Sequence, residues 1–145
     1  MRRLGLSGSI ITIIALLLLI PPVIDALNGA VKSKSRCDVA LVMDGDTIKI
    51  SCPGYELTSG RILGYDSPEK NARCIPEYIL AIRATWGLRT LLWQARTVEI
   101  RQNGKDRYQR DLIELRVNGK DVKAAMIRKG LARAYNGGRR GSWCE

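Results

Sequence analysis

The 145-residue sequence contains no histidine. This absence excludes Ser-His-Asp and Cys-His catalysis, and it excludes zinc sites with histidine ligands. Acid–base chemistry in this chain must therefore come from Asp, Glu, Lys, Tyr or Cys side chains. A hydrolytic reaction would depend on carboxylates, a metal ion and arginines.

Acidic residues are fewer than basic ones. The chain has 14 Asp and Glu against 24 Lys and Arg, which gives a formal net charge of +10 at pH 7. Such a balance suits a polyanionic partner, either a nucleic acid or an anionic membrane surface. It is also compatible with a charge that serves solubility alone.

The chain has one long hydrophobic run, at its N-terminus. Residues 10–20 are almost continuously aliphatic, and residues 4–24 include no charged side chain. A membrane-spanning helix needs about 20 apolar residues, so this segment has the composition of a membrane-targeting sequence. Pro21-Pro22 and the small residues after Asp25 are typical of the tail of a signal peptide. No clean Ala-x-Ala cleavage site is present.

These features predict an exported protein with three parts. Residues 1–30 are expected to form a signal peptide or a retained membrane anchor, and residues 31–36 a short basic linker. Residues 37–145 are expected to form one folded domain, since a chain of this length supports a single domain.

Four cysteines in an exported chain indicate two disulfides, for which three connectivities exist. A hairpin turn centred on Asp44-Gly45 would place Cys37 opposite Cys52, near disulfide range. By elimination, Cys74 would pair with Cys144. A metal site built from all four cysteines is the poorer alternative, because the sequence has no C-x-x-C pair.

Acidic residues are concentrated at the predicted strand ends between residues 42 and 69. Asp44 and Asp46 flank a glycine at the first turn, and Asp66 and Glu69 follow the third predicted strand. Carboxylates at the rim of a sheet are suited to a hard cation, because Ca2+ prefers oxygen ligands. Arg61 lies five residues before Asp66.

This arrangement resembles the signature of the staphylococcal nuclease (thermonuclease) family. The residues that carry the resemblance are Asp44-Gly45-Asp46-Thr47, Arg61, Asp66-Ser67-Pro68-Glu69, and then residues 106–110, 117–122 and 130–132. The resemblance covers residues 37–135. It implies an α+β, mainly β fold: a five-stranded OB-fold barrel with two helices, after the N-terminal hydrophobic segment. Local patterns alone predict a helix over residues 76–94, a strand over 97–101 and a polar loop over 102–107.

The resemblance also implies a Ca2+ site. Asp46 and Asp66 would bind the ion directly, with the backbone carbonyl of Ser67 as a further ligand. Asp44 would support the water shell of the ion, and Thr47 would lie behind the ligands.

The remaining roles implied by the resemblance concern the reaction. Glu69 would be the general base or would orient the attacking water. Arg61 and Arg110 would hold the phosphate and stabilise the transition state. Tyr108 would line the nucleotide pocket. Family members cleave the P–O5′ bond of DNA and RNA and leave 3′-phosphate products, so DNA or RNA is the expected partner. Gln109 departs from the family pattern, in which a small or acidic residue is usual.

Two other functions compete with this hypothesis. A non-catalytic OB-fold nucleic-acid binder should have lost some of Arg61, Glu69 and Arg110, and should present exposed aromatics. The chain retains all three residues and has only eight aromatics. A membrane-tethered adaptor should carry its positive charge beside the anchor, whereas Lys and Arg are spread through the domain. Nothing in the sequence requires a protein partner, so we expect a monomer.

Overall fold

The computed structural model describes residues 8–144 of the chain. This part forms three helices and eight strands. In chain order they are α1 (Gly8–Lys32), β1 (Asp38–Val42), β2 (Thr47–Ser51), β3 (Thr58–Ile62), β4 (Tyr65–Asp66), α2 (Ile75–Gln94), β5 (Val98–Lys105), β6 (Asp111–Val117), β7 (Lys120–Asp121), α3 (Val122–Arg128) and β8 (Arg133–Ala134).

Five strands make one curled mixed sheet in the order β1-β2-β3-β6-β5. The pairs β1–β2, β2–β3 and β5–β6 are antiparallel, and β3 runs parallel to β6. The short β7 extends β6, while β4 and β8 pair separately. This architecture confirms the predicted α+β fold with an OB-type five-stranded sheet.

The core lies between the curled sheet and α2. Ile48 and Ile50 on β2 and Ile113 on β6 are fully buried, as is Leu88 on α2. Burial of each such side chain contributes about 1.5–3 kcal/mol, so this alternation of inward aliphatic residues fixes which face of each strand turns inward. Gly87 lets α2 approach Leu131, whose Cδ1 would lie 2.3 Å from a Cβ at that position.

The helix predicted over residues 76–94 is confirmed as α2, which begins one residue earlier. Strand β5 is longer than predicted. It continues to Lys105 through residues that we expected to form a polar loop. Backbone pairing with β6 at Arg101↔Glu114 and Gln102↔Ile113 sustains the strand while its side chains face solvent. The polar composition of residues 102–105 therefore did not indicate that they extend an exposed strand.

Both bridges expected from the cysteines are present in the structure. Cys37 and Cys52 join β1 to β2, with 4.3 Å between their Cα atoms. The strand register next to this bridge is the one that a turn at Asp44-Gly45 predicts, although it shifts by one residue beyond Val39. The Cys74–Cys144 bridge spans 70 residues and holds the C-terminal segment against the start of α2.

Helix α1 is continuous through Pro21-Pro22, and its two halves have different surroundings. Residues 8–20 are exposed on every side, whereas Asp25 and Gly29 in the second half are buried against the domain. Within the segment expected to form a linker, residues 31–32 complete α1 and residues 33–35 contact β5. Ser33 bridges to Val98, and the Lys34 backbone N–H donates to the Val98 carbonyl at 2.8 Å. This segment, which leads from α1 into β1, therefore lies against the start of β5.

Candidate functional site

Three of the predicted site residues meet at the ends of β2, β3 and β4. Asp46 immediately precedes β2, Arg61 lies opposite Thr47 on β3, and Asp66 ends β4. Asp46, Arg61 and Asp66 are 5%, 6% and 5% exposed. Charged side chains with so little exposure need oppositely charged partners, because an unpaired buried charge is strongly unfavourable.

Arg61 lies between the two aspartates. Its Nη1 contacts Asp46 Oδ2, and its Nη2 lies 3.4 Å from Asp66 Oδ1. The same Nη2 donates to the Tyr65 carbonyl at 3.1 Å. The guanidinium therefore draws both carboxylates toward one point.

Asp46 is held by Ser67 and Thr47 as well. Its Oδ2 accepts hydrogen bonds from the Ser67 backbone N–H at 3.0 Å and from the Ser67 hydroxyl at 2.9 Å. Its Oδ1 accepts from the Thr47 hydroxyl at 2.9 Å. Burial opposes the charged form of Asp46, but the charge of Arg61 and these hydrogen bonds outweigh it and lower the pKa of the carboxyl. Asp46 is therefore a carboxylate at neutral pH.

Gly45 shapes the turn that carries Asp46. A Cβ at this position would lie 2.7 Å from Ala84 Cβ and 2.9 Å from Ser67 Cβ, so a side chain would push the turn away from α2 and Ser67. The Tyr65 hydroxyl donates to the Gly45 carbonyl at 2.8 Å. Burial, reinforced by the negative charge of Asp46, raises the pKa of Tyr65, which keeps this hydroxyl a donor.

The donor set fits a divalent cation. Asp46 and Asp66 converge on the same guanidinium and offer the hard oxygen ligands that Ca2+ prefers. Asp44 is farther out: its side chain is 32% exposed and pairs with Lys70 at 3.2 Å. The participation of the Ser67 carbonyl as a ligand stays a prediction.

Glu69, the predicted general base, lies at the edge of this group with its side chain 53% exposed. Its Oε1 contacts Arg140 Nη1, and Arg140 Nε lies 3.1 Å from Asp66 Oδ1. Partial burial opposes the charged form of Arg140, but Asp66 and Glu69 outweigh it and raise the pKa of the guanidinium. The sequence had not assigned Arg140 to the site, because it lies in a Gly- and Arg-rich segment without a recognisable motif.

Arg110 and Tyr108 lie on the turn between β5 and β6, where Asp106 organises the backbone. Asp106 Oδ1 accepts from the backbone N–H groups of Tyr108 at 2.8 Å and Arg110 at 3.0 Å, and its Oδ2 pairs with Arg110 Nε at 2.7 Å. Gln109 has a φ of 63°, a left-handed conformation that a glycine would adopt more readily. Tyr108 is 64% exposed, and the Arg110 guanidinium lies 5.6 Å from its ring centre.

An open cavity of about 1350 Å³ connects the two groups of residues. Among its lining residues are the predicted Arg61, Glu69, Tyr108 and Arg110. Residues that the sequence analysis had not assigned also line it: Lys123, Tyr135 and Arg140. The cavity is large enough for a nucleotide, and arginines lie on both sides of it.

A second group of metal-ligating residue types lies at Cys74, Glu77 and Cys144. Both sulfurs belong to the disulfide, so neither is available as a thiolate. Glu77 accepts a hydrogen bond from the Arg73 backbone N–H at 2.8 Å. This group secures the C-terminal segment and does not fit a metal ion.

Comparison with known proteins identifies the family. A sequence model described as staphylococcal nuclease homologue matches residues 60–142, which is more than half of the chain. The chain belongs to this family. It is also 29% identical over 109 residues to a Haemophilus influenzae protein described as an uncharacterized endonuclease. The matched region is 75% of this chain and 57% of that relative's length.

The part of this staphylococcal nuclease homologue that matches the family includes Arg61, Asp66, Glu69 and Arg110. Asp46 lies before the matched region. Its assignment to the same site rests on the contacts that bring it to Arg61 and Ser67. The comparison thus places residues 60–142, which carry most of the candidate site, in the staphylococcal nuclease homologue family.

Proposed function

We propose that this protein is an exported, Ca2+-dependent nuclease that hydrolyses phosphodiester bonds of DNA or RNA at the P–O5′ position and leaves 3′-phosphates. The observation that carries the proposal is the convergence of Asp46 and Asp66 on Arg61, beside a cavity lined by Glu69 and Arg110. Negative ligands for a cation and positive groups for a phosphate are thus adjacent.

Asp46 and Asp66 would hold the Ca2+ ion, with the Ser67 carbonyl as a further ligand, Asp44 supporting its water shell and Thr47 orienting Asp46. When bound, the ion would supply Lewis-acid polarisation of the phosphate. In this structure Arg61 offsets part of the charge of these two carboxylates. Its guanidinium is also the group that would turn toward a phosphate.

The side chains of this protein supply the remaining steps. Glu69 accepts a proton from the attacking water, whose oxygen forms a bond to phosphorus. Arg61 and Arg110 hold the phosphate oxygens, and their hydrogen bonds strengthen as negative charge accumulates there. The bond from phosphorus to the 5′-oxygen breaks, and the leaving oxygen takes a proton from solvent. Tyr108 lines the nucleotide side of the cavity.

The cellular setting is part of the proposal. The two disulfides and the apolar N-terminal helix are compatible with export to an oxidising compartment. The folded domain would include residues 37–145 and act as a monomer on a nucleic-acid partner. The net charge of +10 favours association with that polyanion.

The test is cleavage of end-labelled single-stranded DNA and RNA by the full chain in detergent, with Ca2+ or with a chelator. We expect cleavage only with Ca2+, and products whose 3′ ends carry phosphate. Glu69→Gln and Arg110→Ala should each lower kcat by about 100-fold or more, since each removes a group that acts on the transition state. Arg139→Ala, a substitution of an exposed neighbour of Arg140, is the control and should cleave like the wild type.

Tight, salt-sensitive binding of the same DNA without cleavage in any metal would overturn the proposal. The OB-type nucleic-acid binder would then take its place. Full activity of Glu69→Gln would remove Glu69 from the role of base while leaving the nuclease assignment intact.

A further inference from the structure

The second half of α1 is built into the domain through one carboxylate. Asp25 is 3% exposed. It accepts hydrogen bonds from Arg89 Nε at 3.0 Å, Trp93 Nε1 at 2.8 Å and the Val42 backbone N–H at 3.0 Å. Arg89 and Trp93 lie on α2, and Val42 ends β1. One residue of the N-terminal helix thus joins two elements of the nuclease domain.

Arg89 depends on this carboxylate. The arginine is 8% exposed, and Asp25 is its salt-bridge partner among the described residues. Its Nη2 also donates to the Val42 carbonyl at 3.0 Å. Removal of residues 1–30 would leave a buried guanidinium without its counter-charge, which is strongly destabilising. A signal peptide that is removed after export would not be expected to supply the counter-charge of a buried arginine in the mature domain.

Close backbone packing also indicates that the second half of α1 belongs to the folded domain. A Cβ at Gly29 would lie 1.8 Å from the Val39 carbonyl oxygen, so only glycine lets α1 approach β1 this closely. At the end of the helix, Lys32 Nζ donates to the Trp93 carbonyl at 2.6 Å. Contacts recur at Asp25, Gly29 and Lys32, one helical turn apart, so one face of α1 rests on the domain.

The first half of α1 has the opposite character. Residues 8–20 are exposed around the whole circumference of the helix, and Leu18 is 71% exposed. The segment has no polar face on which it could lie flat on a surface or fit a protein groove. Residues 4–24 contain no charged side chain, and Arg2 and Arg3 precede them. This is the composition of a helix surrounded by lipid.

We propose that α1 is a retained membrane anchor whose second half is a structural element of the nuclease domain, and that its partner is the phospholipid bilayer. The helix up to residue 20 enters the bilayer, and residues 21–32 dock on β1 and α2. The inference concerns location and architecture, so it does not depend on the proposed catalytic activity.

The docking also reaches the candidate site. Asp25 and Arg89 bind the N–H and the carbonyl of Val42, and Asp44 follows two residues later. The anchor therefore fixes the strand end from which the Asp44-Gly45-Asp46 turn begins. Asp25 is a positioning residue for this turn.

The first test is the form that the protein takes in the envelope of a bacterial expression host. The full chain, expressed with a C-terminal tag, is separated by flotation and washed with high salt and alkaline carbonate, and its intact mass is measured. We expect it to float with the membranes, to resist both washes, and to have a mass that includes residues 1–30. A soluble protein whose N-terminus falls between residues 22 and 32 would overturn the proposal.

The second test separates docking from membrane insertion. Gly29→Ala places a methyl group against β1, whereas Gly8→Ala adds the same group to the same helix in open space. Both variants should remain in membranes. Only Gly29→Ala should speed proteolysis at residues 31–36 and amide exchange in β1, by about tenfold or more.

Asp25→Asn provides a second perturbation of the docking. It should produce the same pattern as Gly29→Ala, because it removes the negative charge beside Arg89 while keeping a similar shape. If Gly29→Ala and Asp25→Asn both matched Gly8→Ala in proteolysis and exchange, α1 would not be docked on the domain, and the proposal would fail whatever the activity assay gave.

Discussion

Arg140 is a residue of the candidate site that the sequence did not predict. It contacts Asp66 and Glu69, yet it lies 71 residues after Glu69 in a Gly- and Arg-rich segment. What brings it to the site is the Cys74–Cys144 bridge, together with Trp143, which stacks on Arg133 with 3.7 Å between the guanidinium and the ring centre. Because a disulfide to a distant part of the chain positions Arg140, no local sequence pattern marks it as a site residue.

Arg140 contacts Asp66, one of the two carboxylates proposed to bind Ca2+. Arg140→Ala should therefore tighten Ca2+ binding, measured by calorimetry without nucleic acid, by about two- to fivefold, because partly exposed ion pairs are weak. Arg139→Ala removes an exposed arginine of equal charge and should change the affinity by less than twofold. Weaker Ca2+ binding in Arg140→Ala would show that Arg140 supports the site and does not compete for it.

Asp106 is the residue that positions Arg110. Desolvation works against its charged form, but the hydrogen bonds from Arg110 and Tyr108 outweigh this effect and lower the pKa of the carboxyl. Since the folded-state pKa is lowered, Asp106 contributes stability above the ordinary aspartate value. This contribution is lost as the pH falls through the lowered pKa.

The pKa of Asp106 can be measured by carbon NMR of its carboxyl group. We expect a titration midpoint below that of a free aspartate, and we expect Arg110→Ala to return the midpoint toward the ordinary value. A midpoint at or above the ordinary value in the wild type would mean that the Asp106–Arg110 contact is not maintained in solution.

At the scale of elements, sequence patterns predicted what is local. The β1–β2 hairpin and α2 follow from a turn signal and a helical period, and both occur near the predicted positions. The extension of β5 and the docking of α1 were not predictable in this way. Each depends on a partner distant in sequence: β6 for the polar residues of β5, and Arg89 for Asp25.

The Cys74–Cys144 bridge is the element that places the C-terminal segment over the site. Closing a loop of 70 residues stabilises the fold by about 4 kcal/mol in the chain-entropy description. The double variant Cys74→Ser/Cys144→Ser should therefore lower the free energy of unfolding by up to that amount, measured by urea titration. It should also raise amide exchange in residues 136–143.

The Cys37→Ser/Cys52→Ser variant is the matched control for that effect. Its loop is shorter, with a sequence separation of 15, so it should cost about 3 kcal/mol. It should leave exchange in residues 136–143 unchanged, because its bridge lies in the β1–β2 hairpin. Equal protection of residues 136–143 in both variants would show that packing of Trp143, and not the crosslink, holds the segment.

At the scale of the molecule, the order of the motifs predicted more of the site than any single motif did. Asp46 and Asp66 are separated by 20 positions and still contact one guanidinium, because β2 and β3 are neighbours in the sheet. The fold was thus predictable from the sequence through the family resemblance, and so was the grouping of Asp46, Arg61 and Asp66 in the candidate site. The hydrogen-bond partners were not, since they depend on side-chain placement that only the folded chain determines.

The short connection between α1 and β1 is held against the sheet, which limits how far the domain can move from the helix. Residues 33–35 are paired with β5, so the helix joins the domain as a stiff rod and not as a flexible cord. A flexible tether lets an enzyme sweep a volume that grows with its length. With a rigid connection, the candidate site stays within about one domain thickness of the end of the helix. With the membrane anchor and the nuclease activity proposed above, the accessible substrates would be nucleic acids at the membrane surface and not those in bulk solution.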